Sequence, residues 1–302
     1  NTREMTLQCL ASIFRETSTD FEIIVLDNAS TDGSANAISA KFPKIRLLRE
    51  TRNLGFARAH GPAVAVARAP WLVLLNPDTL VLDGALDRLL SFARRHPDAG
   101  IWGGRTLNRD HTLNPASCWA RMTLWSVACT VSGLSKALPN SALFNPEAYG
   151  GWKRESPSVV DIVSGCLFLI RRETWDALGG FDPAFEMYGE EADMCLRARQ
   201  AGFTPMITPE ATIVHYGGAS ERVRADKMVR LLRAKTELAK RHGLPLTRGL
   251  TRALLMLWPL SRWLVLSAAG TLLGRVILAE KARTWGEVWA RRAEWRKGFP
   301  MT

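Results

Sequence analysis

The chain has 302 residues, 47% of them hydrophobic, with 40 Lys and Arg against 29 Asp and Glu, a formal net charge of +11 and a pI near 9.9. That length and apolar content can bury a full core, which excludes a disordered tail or a small staple-dependent scaffold and predicts one large domain, alone or with an appendage. Five scattered Cys without a CxxC pair exclude a disulfide framework and a zinc cluster, and no secretory-signal pattern opens the sequence, so a reducing, cytoplasmic setting is expected.

In chain order, residues 6–16 carry Leu7, Leu10, Ala11 and Phe14 at helical spacing, and residues 21–26 form a β-rich run ending in Asp27. Residues 28–33 have turn chemistry, 34–42 can be helical, and 45–48 make a second short strand. An Ala-rich helix is expected over 57–69. The next segment, Trp71-Leu72-Val73-Leu74-Leu75, is a continuous apolar run that reads as a strand buried on both faces, ended by Asn76-Pro77. This alternation predicts an α/β fold with a parallel sheet built from right-handed crossovers.

Asp78 therefore stands at a strand's carboxyl end, the edge of an open α/β sheet where ligands bind, and suits a metal or a phosphate-bound cation. The competing role is a turn or capping Asp for a helix expected over 80–95. Asp27 occupies a similar strand end, able to accept hydrogen bonds from a base or ribose. Residues 105–159 read as connecting loops with short helices. Apolar runs at 159–163 and 166–170 and a short helix from Glu173 follow. Glu190, Glu191 and Asp193 then open a helix that runs to 201. Three carboxylates at a helix start either complement the macrodipole or, crowded beside Met187, Tyr188, Met194 and Leu196, raise one another's pKa and supply a general base or metal ligand. His215 follows a β-rich run and precedes Tyr216-Gly217-Gly218; it is either structural or a transition-metal ligand.

Most of the excess positive charge lies in residues 244–302, with ten Arg and Lys against three Glu. Five of the eleven Trp lie there too, beside the apolar stretch 253–278. Trp and Arg around an apolar helix suit a bilayer interface, and the longest uncharged run, 263–274, is too short to span hydrocarbon. The tail is expected to lie on a membrane surface; a helical pair packed on the rest of the chain, or a homo-oligomeric contact, stays open. A nucleic-acid partner is not expected, because the basic residues sit in a Trp-rich apolar tail.

The order and spacing of LDNASTDGS (26–34), RNLGFARAH (52–60), LLNPDT (74–79), the long run 165–203 and HYGGAS (215–220) resemble the family 2 glycosyltransferases, within them the bacterial rhamnosyltransferase-like branch. The resemblance covers roughly residues 1–243. It implies a GT-A catalytic domain with a mostly parallel central sheet flanked by helices, followed by a helical extension at 244–302. It also implies a nucleotide-diphosphate sugar donor, dTDP-rhamnose or a UDP-sugar, and Mn²⁺ or Mg²⁺ as cofactor. The acceptor hydroxyl would belong to a glycan or lipid-linked acceptor in cell-surface polysaccharide synthesis, on the inner face of the cell membrane.

By the same resemblance Asp27 meets the nucleobase, and Asp32, Asn53 and Arg58 line the nucleotide side. Asn76 and Asp78 match the first and last positions of the metal-binding motif, and His215 matches a metal-ligating His. Glu191 stands where the family usually has Asp as general base, with Glu190 before it and Asp193 two after, so the base is Glu191 or Asp193. Members begin with an apolar strand ending in Tyr-Asn or similar. The sequence begins at Asn1, so that strand is expected to be missing from residues 1–302. A catalytically impaired nucleotide-sugar binder and a nucleotidyltransferase are the alternatives; a Rossmann dehydrogenase lacks its GxGxxG.

Overall fold

Helices and strands alternate through the first hundred residues of the computed structural model, which describes residues 1–217 and 224–299. They run α1 (Arg3–Glu16), β1 (Ile24–Asp27), α2 (Ser34–Lys41), β2 (Arg46–Arg49), α3 (Phe56–Val66), β3 (Trp71–Leu75), β4 (Thr79–Val81), α4 (Ala85–Arg95) and β5 (Ile101–Leu107). The middle holds β6 (Cys118–Trp119), α5 (Leu124–Ser132), α6 (Leu134–Ala137), β7 (Ser158–Val159), β8 (Ile162–Val163) and β9 (Leu167–Arg171). Then come α7 (Arg172–Ala177), α8 (Glu190–Gln200), β10 (Met206–His215), α9 (Arg224–His242), α10 (Pro245–Leu273), α11 (Val276–Ala290) and α12 (Arg292–Trp295).

The expected parallel order holds for β1 with β2 and for β5 with β10. The main sheet is nevertheless mixed, in the order β3-β9-β5-β10-β4 with β7 on β10, and β9 runs antiparallel to both β3 and β5. The chain reaches β9 through the long irregular segment after β5 rather than through a short helical crossover, so the handed βαβ rule does not set its direction.

Two local expectations change. β3 is less evenly buried than expected: Leu72 and Leu74 are buried on one face, while on the other Trp71 and Leu75 are partly buried against the core and Val73 is 40% exposed. No helix follows Asp78 directly. Thr79 and Val81 are fully buried in β4, which pairs antiparallel with β10, and α4 begins only after a turn at Asp83-Gly84 with both residues at positive φ. Thr and Val suit a strand once a partner exists, and that partner lies more than 130 residues away.

The described residues form two compact units: 1–120 with 153–186 and 190–220, and 121–152 with 187–189 and 221–302. In the first, α1 contributes Leu7, Leu10 and Ile13 to a core shared with Leu89 and Phe92 of α4 and with Trp102, Leu169 and Ile213 of the sheet. Each such burial contributes about 1.5–3 kcal/mol, which explains why the helical spacing in α1 was readable. In the second, Val127, Val229, Leu232, Leu255, Val288 and Trp295 pack together from α5 and α9–α12. Helix α10 runs 29 residues and passes through Arg262 unbroken, so its apolar length exceeds the uncharged run 263–274. The Arg262 guanidinium donates to the Thr130 carbonyl at 3.0 Å, satisfying the cation within the same unit.

Candidate active site

The β4–β10 register sets Thr79 opposite His215, and the Tyr216 amide donates to the Asp78 carbonyl at 2.9 Å. Those two links bring the Asp78 carboxylate to the imidazole, Oδ1 to Nε2, at 3.2 Å. Both side chains keep partial exposure, 13% for Asp78 and 20% for His215. Asn76 Nδ2 lies 3.5 Å from the same imidazole nitrogen. The Asn76 carbonyl accepts from the Thr79 hydroxyl at 2.7 Å, and its amide donates to the Cys166 carbonyl at 3.2 Å, so the turn after β3 is held from both sides. Gly218, Ala219 and Ser220 of the expected loop lie outside the described residues.

Residues 164–166 connect this corner to the acidic helix. Cys166 touches the Asn76 turn, while Gly165 packs beside the Glu191 side chain. Burial pushes the Cys166 thiol up, and the negative charges of Asp78 and Glu191 add to the shift. As expected, Glu190, Glu191 and Asp193 open α8. Their environments differ sharply. Glu191 is half-buried, whereas Glu190 is buried, with Oε2 finding no hydrogen-bond partner among the described residues. Burial, and then the charge of Glu191, raise the Glu190 carboxyl well above the usual range. Asp193 is 1% exposed and ion-paired with Arg197 at 2.7 Å. Arg197 also donates to the Leu178 and Gly180 carbonyls, so the pair fastens the turn after α7 to α8.

Of the expected donor-side residues, Asp27 ends β1 and Asn53 is bonded to Asn28 beside it. Asp27 is buried there, and the Glu50 amide donates to its carbonyl at 2.9 Å. Asp32 is engaged by its own turn: it accepts from the Ser34 hydroxyl and amide and from the Arg3 amide, and the Ser34 hydroxyl is the main reason its pKa falls to about 2. Asn53 accepts from the Gly55 amide at 2.8 Å, and Arg58 Nε donates to the Pro183 carbonyl at 3.0 Å.

Sequence reasoning passed over Asn28. Its amide donates to Asn53 Oδ1 and the Gly55 carbonyl and accepts from the Leu54 amide at 2.7 Å, clamping the 53–55 turn to β1. The signal was an Asn directly after a strand, a common turn residue that nothing local distinguishes. Gly55, at φ +81, lets the chain approach closely: a Cβ there would stand 2.8 Å from the Glu186 carbonyl, which accepts from the Phe56 amide at 2.7 Å. The nucleotide-side turn is thereby tied to the segment leading into α8.

For a divalent cation the donor set is one carboxylate, one imidazole and the Asn76 amide. Among the described residues no group of three or more His, Cys, Asp or Glu converges to hold a metal. The carboxylate and amide oxygens suit Mn²⁺ or Mg²⁺ and the imidazole tips the set toward the transition ion Mn²⁺, the rest of whose shell substrate phosphate and water would complete.

A family model described as Glycosyl transferase family 2 matches residues 1–176. An N-acetylglucosaminyl-diphospho-decaprenol L-rhamnosyltransferase of Mycobacterium tuberculosis is 31% identical over 221 residues, 68% of this chain and 70% of that protein. An O-antigen biosynthesis protein, RfbC of Myxococcus xanthus, is 28% identical over 68% of this chain, which spans only 16% of it. Among solved structures, a mannosyltransferase from Pyrobaculum calidifontis in complex with GDP-Man and Mn²⁺ superposes with a TM-score of 0.57 at 18% identity, over 98% of this chain and 85% of that one. TarS of S. aureus gives 0.53 at 12% identity, over 99% and 78%. At such identities these two show the shared fold alone.

Proposed function

This chain belongs to glycosyl transferase family 2, with the GT-A type of fold, and from that membership we propose that it is a metal-dependent, inverting transferase. It moves a sugar from a nucleotide-diphosphate donor to a hydroxyl of a glycan or lipid-linked acceptor in polysaccharide synthesis. The observation that carries the proposal is the 3.2 Å approach of Asp78 to His215, created by strand pairing between segments 137 positions apart. The similarity to a rhamnosyltransferase favours dTDP-rhamnose as donor over a UDP-sugar, and favours a lipid-linked diphosphate acceptor. The catalytic domain is assigned to residues 1–243, and the basic, Trp-rich residues 244–302 to contact with the cytoplasmic face of the membrane.

Asp78 and His215, with Asn76 beside them, would hold Mn²⁺ or Mg²⁺, which when bound neutralises the charge developing on the leaving diphosphate. Asp27 receives the base, and Asn28 and Gly55 hold the 53–55 turn against the nucleotide. Glu191 accepts the proton of the acceptor hydroxyl as that oxygen bonds to the anomeric carbon and the bond to the diphosphate breaks. Burial and then the charge of Glu191 raise the Glu190 carboxyl, so of the two neighbours Glu191 is the one proposed as base. One displacement from the face opposite the leaving group inverts the anomeric carbon. Asp193, committed to Arg197, acts through the shape of α8.

Transfer and donor hydrolysis, measured with a panel of nucleotide sugars in Mn²⁺, Mg²⁺ and chelator, test this directly. Metal-dependent turnover lost in Asp78→Asn and in Glu191→Gln is expected. Donor binding without metal-dependent turnover would instead support a catalytically impaired sugar-nucleotide binder.

A further inference from the structure

We propose that the turn joining α10 to α11 is a wedge that inserts shallowly into an anionic bilayer. The two helices pack closely up to the turn: a Cβ on Gly270 would lie 3.3 Å from the Ala279 amide nitrogen, and one on Gly286 would lie 3.0 Å from Trp263 Nε1. Trp258 and Trp285 also meet, with ring centroids 5.9 Å apart. Beyond Gly270 the apolar side chains face outward. Leu272 is 84% exposed, Leu273 61%, Val276 70% and Ile277 64%, four large aliphatic residues contiguous around Gly274-Arg275. A patch of that kind marks an interaction site rather than ordinary solvated surface.

The occupant follows from charge and size. Between Thr271 and Thr284 stand Arg275, Lys281 and Arg283 against a single acid, Glu280. Cations around an apolar tip complement lipid phosphates, and each contributes to attraction by an anionic leaflet. Even with Leu264 and Val265 farther down α10, 55% and 62% exposed, six aliphatic side chains fall well short of the roughly 20–30 residues a side that a stable dimer uses. Depth is limited as well. Glu280 and Lys281 lie four or five residues into α11, roughly 6–8 Å from the turn at 1.5 Å per residue, which matches burial at the boundary of headgroups and acyl chains. By length and composition α10 is able to cross a bilayer. Its packed partner α11, however, would carry Glu280, Lys281, Arg283 and Glu287 into the hydrocarbon, where charges are strongly disfavoured. The first half of α10 bears Arg248 and Arg252, and its Leu255 is buried in the core with α9. The hairpin therefore wedges and does not span. It rests on the membrane-borne acceptor proposed above for its purpose, since a wedge would hold the enzyme at the surface where such an acceptor lies, but its binding can be read without any acceptor.

All five native cysteines are free and buried, so Leu273→Cys can be labelled selectively with an environment-sensitive fluorophore, with Lys41→Cys as the exposed control. The full chain is mixed with phosphatidylcholine vesicles, with or without about one third phosphatidylglycerol. Expected are a blue shift and quenching by brominated lipid for the label at 273 only, on anionic vesicles. Vesicle binding should fall at least tenfold in the double variant Leu272→Asp/Ile277→Asp, with melting temperature and turnover on a water-soluble acceptor analogue unchanged. An unshifted label on anionic vesicles, or equal vesicle binding by parent and double variant, overturns the wedge. So does a dimer-to-monomer change in the double variant without a vesicle effect, which would assign the patch to a second copy. A shifted label in a protein that transfers no sugar upholds the wedge and removes the transferase proposal, so the two fail separately.

Discussion

Replacing Asp193 by Asn and Glu191 by Gln separates the two carboxylates that the sequence leaves as candidate bases. Asp193 is 1% exposed and its partner Arg197 25%, with Nε and Oδ2 at 2.7 Å. Breaking a buried pair on one side destabilises by about 3–5 kcal/mol, because the remaining charge is left without its counter-ion. Arg197 keeps some solvent and the carbonyls of Leu178 and Gly180, so the lower end, about 3 kcal/mol, is expected. In a 302-residue protein that lowers Tm by roughly 5 °C. Turnover at a temperature where Asp193→Asn is still folded should remain within about tenfold of the parent, since Glu191 is the proposed base. Glu191→Gln should behave in the opposite way, with Tm nearly unchanged and kcat down about 10²–10⁴-fold, the usual contribution of a general base. Thermal melts and transfer kinetics on the same preparations decide the matter. An Asp193→Asn variant with unchanged Tm and abolished turnover would refute the assignment and make Asp193 the base.

Other outcomes follow from the same geometry. On the proposed site, with Asp78 and His215 as the strong protein ligands among the described residues, the cation should bind weakly alone and tightly with a nucleoside diphosphate. Mn²⁺ by itself should barely raise Tm, whereas Mn²⁺ with nucleotide at about 100 times Kd should stabilise by about 2.7 kcal/mol, and Asp78→Asn should abolish the difference. Equal shifts with and without nucleotide would count against the two-ligand site. Glu190 binds its proton more tightly folded than unfolded, so the folded state holds the extra proton and stability is lost as pH rises from about 4.5 through the raised value. Glu190→Gln should remove that loss, its stability relative to the parent growing with pH; parallel Tm curves for the two proteins would argue otherwise. Gly55→Ala meets both a positive φ and the Glu186 carbonyl, costs of about 1–3 kcal/mol, and should weaken donor binding more than it slows the bound complex. An unchanged KM for donor would remove Gly55 from the nucleotide side. NMR of the product should show the anomeric configuration inverted relative to the donor, and retention would exclude a single displacement with Glu191 as base.

Much of the architecture was legible because it is written at short range. The spacing of Leu7, Leu10 and Phe14, the run Trp71–Leu75 and the acidic opening of α8 each depend on neighbours within a turn or two, and the structure has all three elements. The placing of Asp27 and Asp78 at strand ends was equally local. The candidate chemistry was therefore visible as residue types at strand and helix ends before any geometry was known.

Long-range pairing decided the rest. Whether residues 79–81 are strand or helix depends on β10, and the same register that makes them a strand brings His215 to Asp78. The direction of β9 depends on neighbours in the sheet that no periodicity encodes. Likewise, three carboxylates that look alike in sequence become a half-buried Glu191, a buried Glu190 whose pKa is raised and an Asp193 held by Arg197, because burial and partners set the environment of an ionisable group. The sequence by itself determined which chemical groups stand at the ends of which elements. Only the tertiary structure decided which of them meet, since contact between distant segments is a property of sheet register and packing rather than of local propensity.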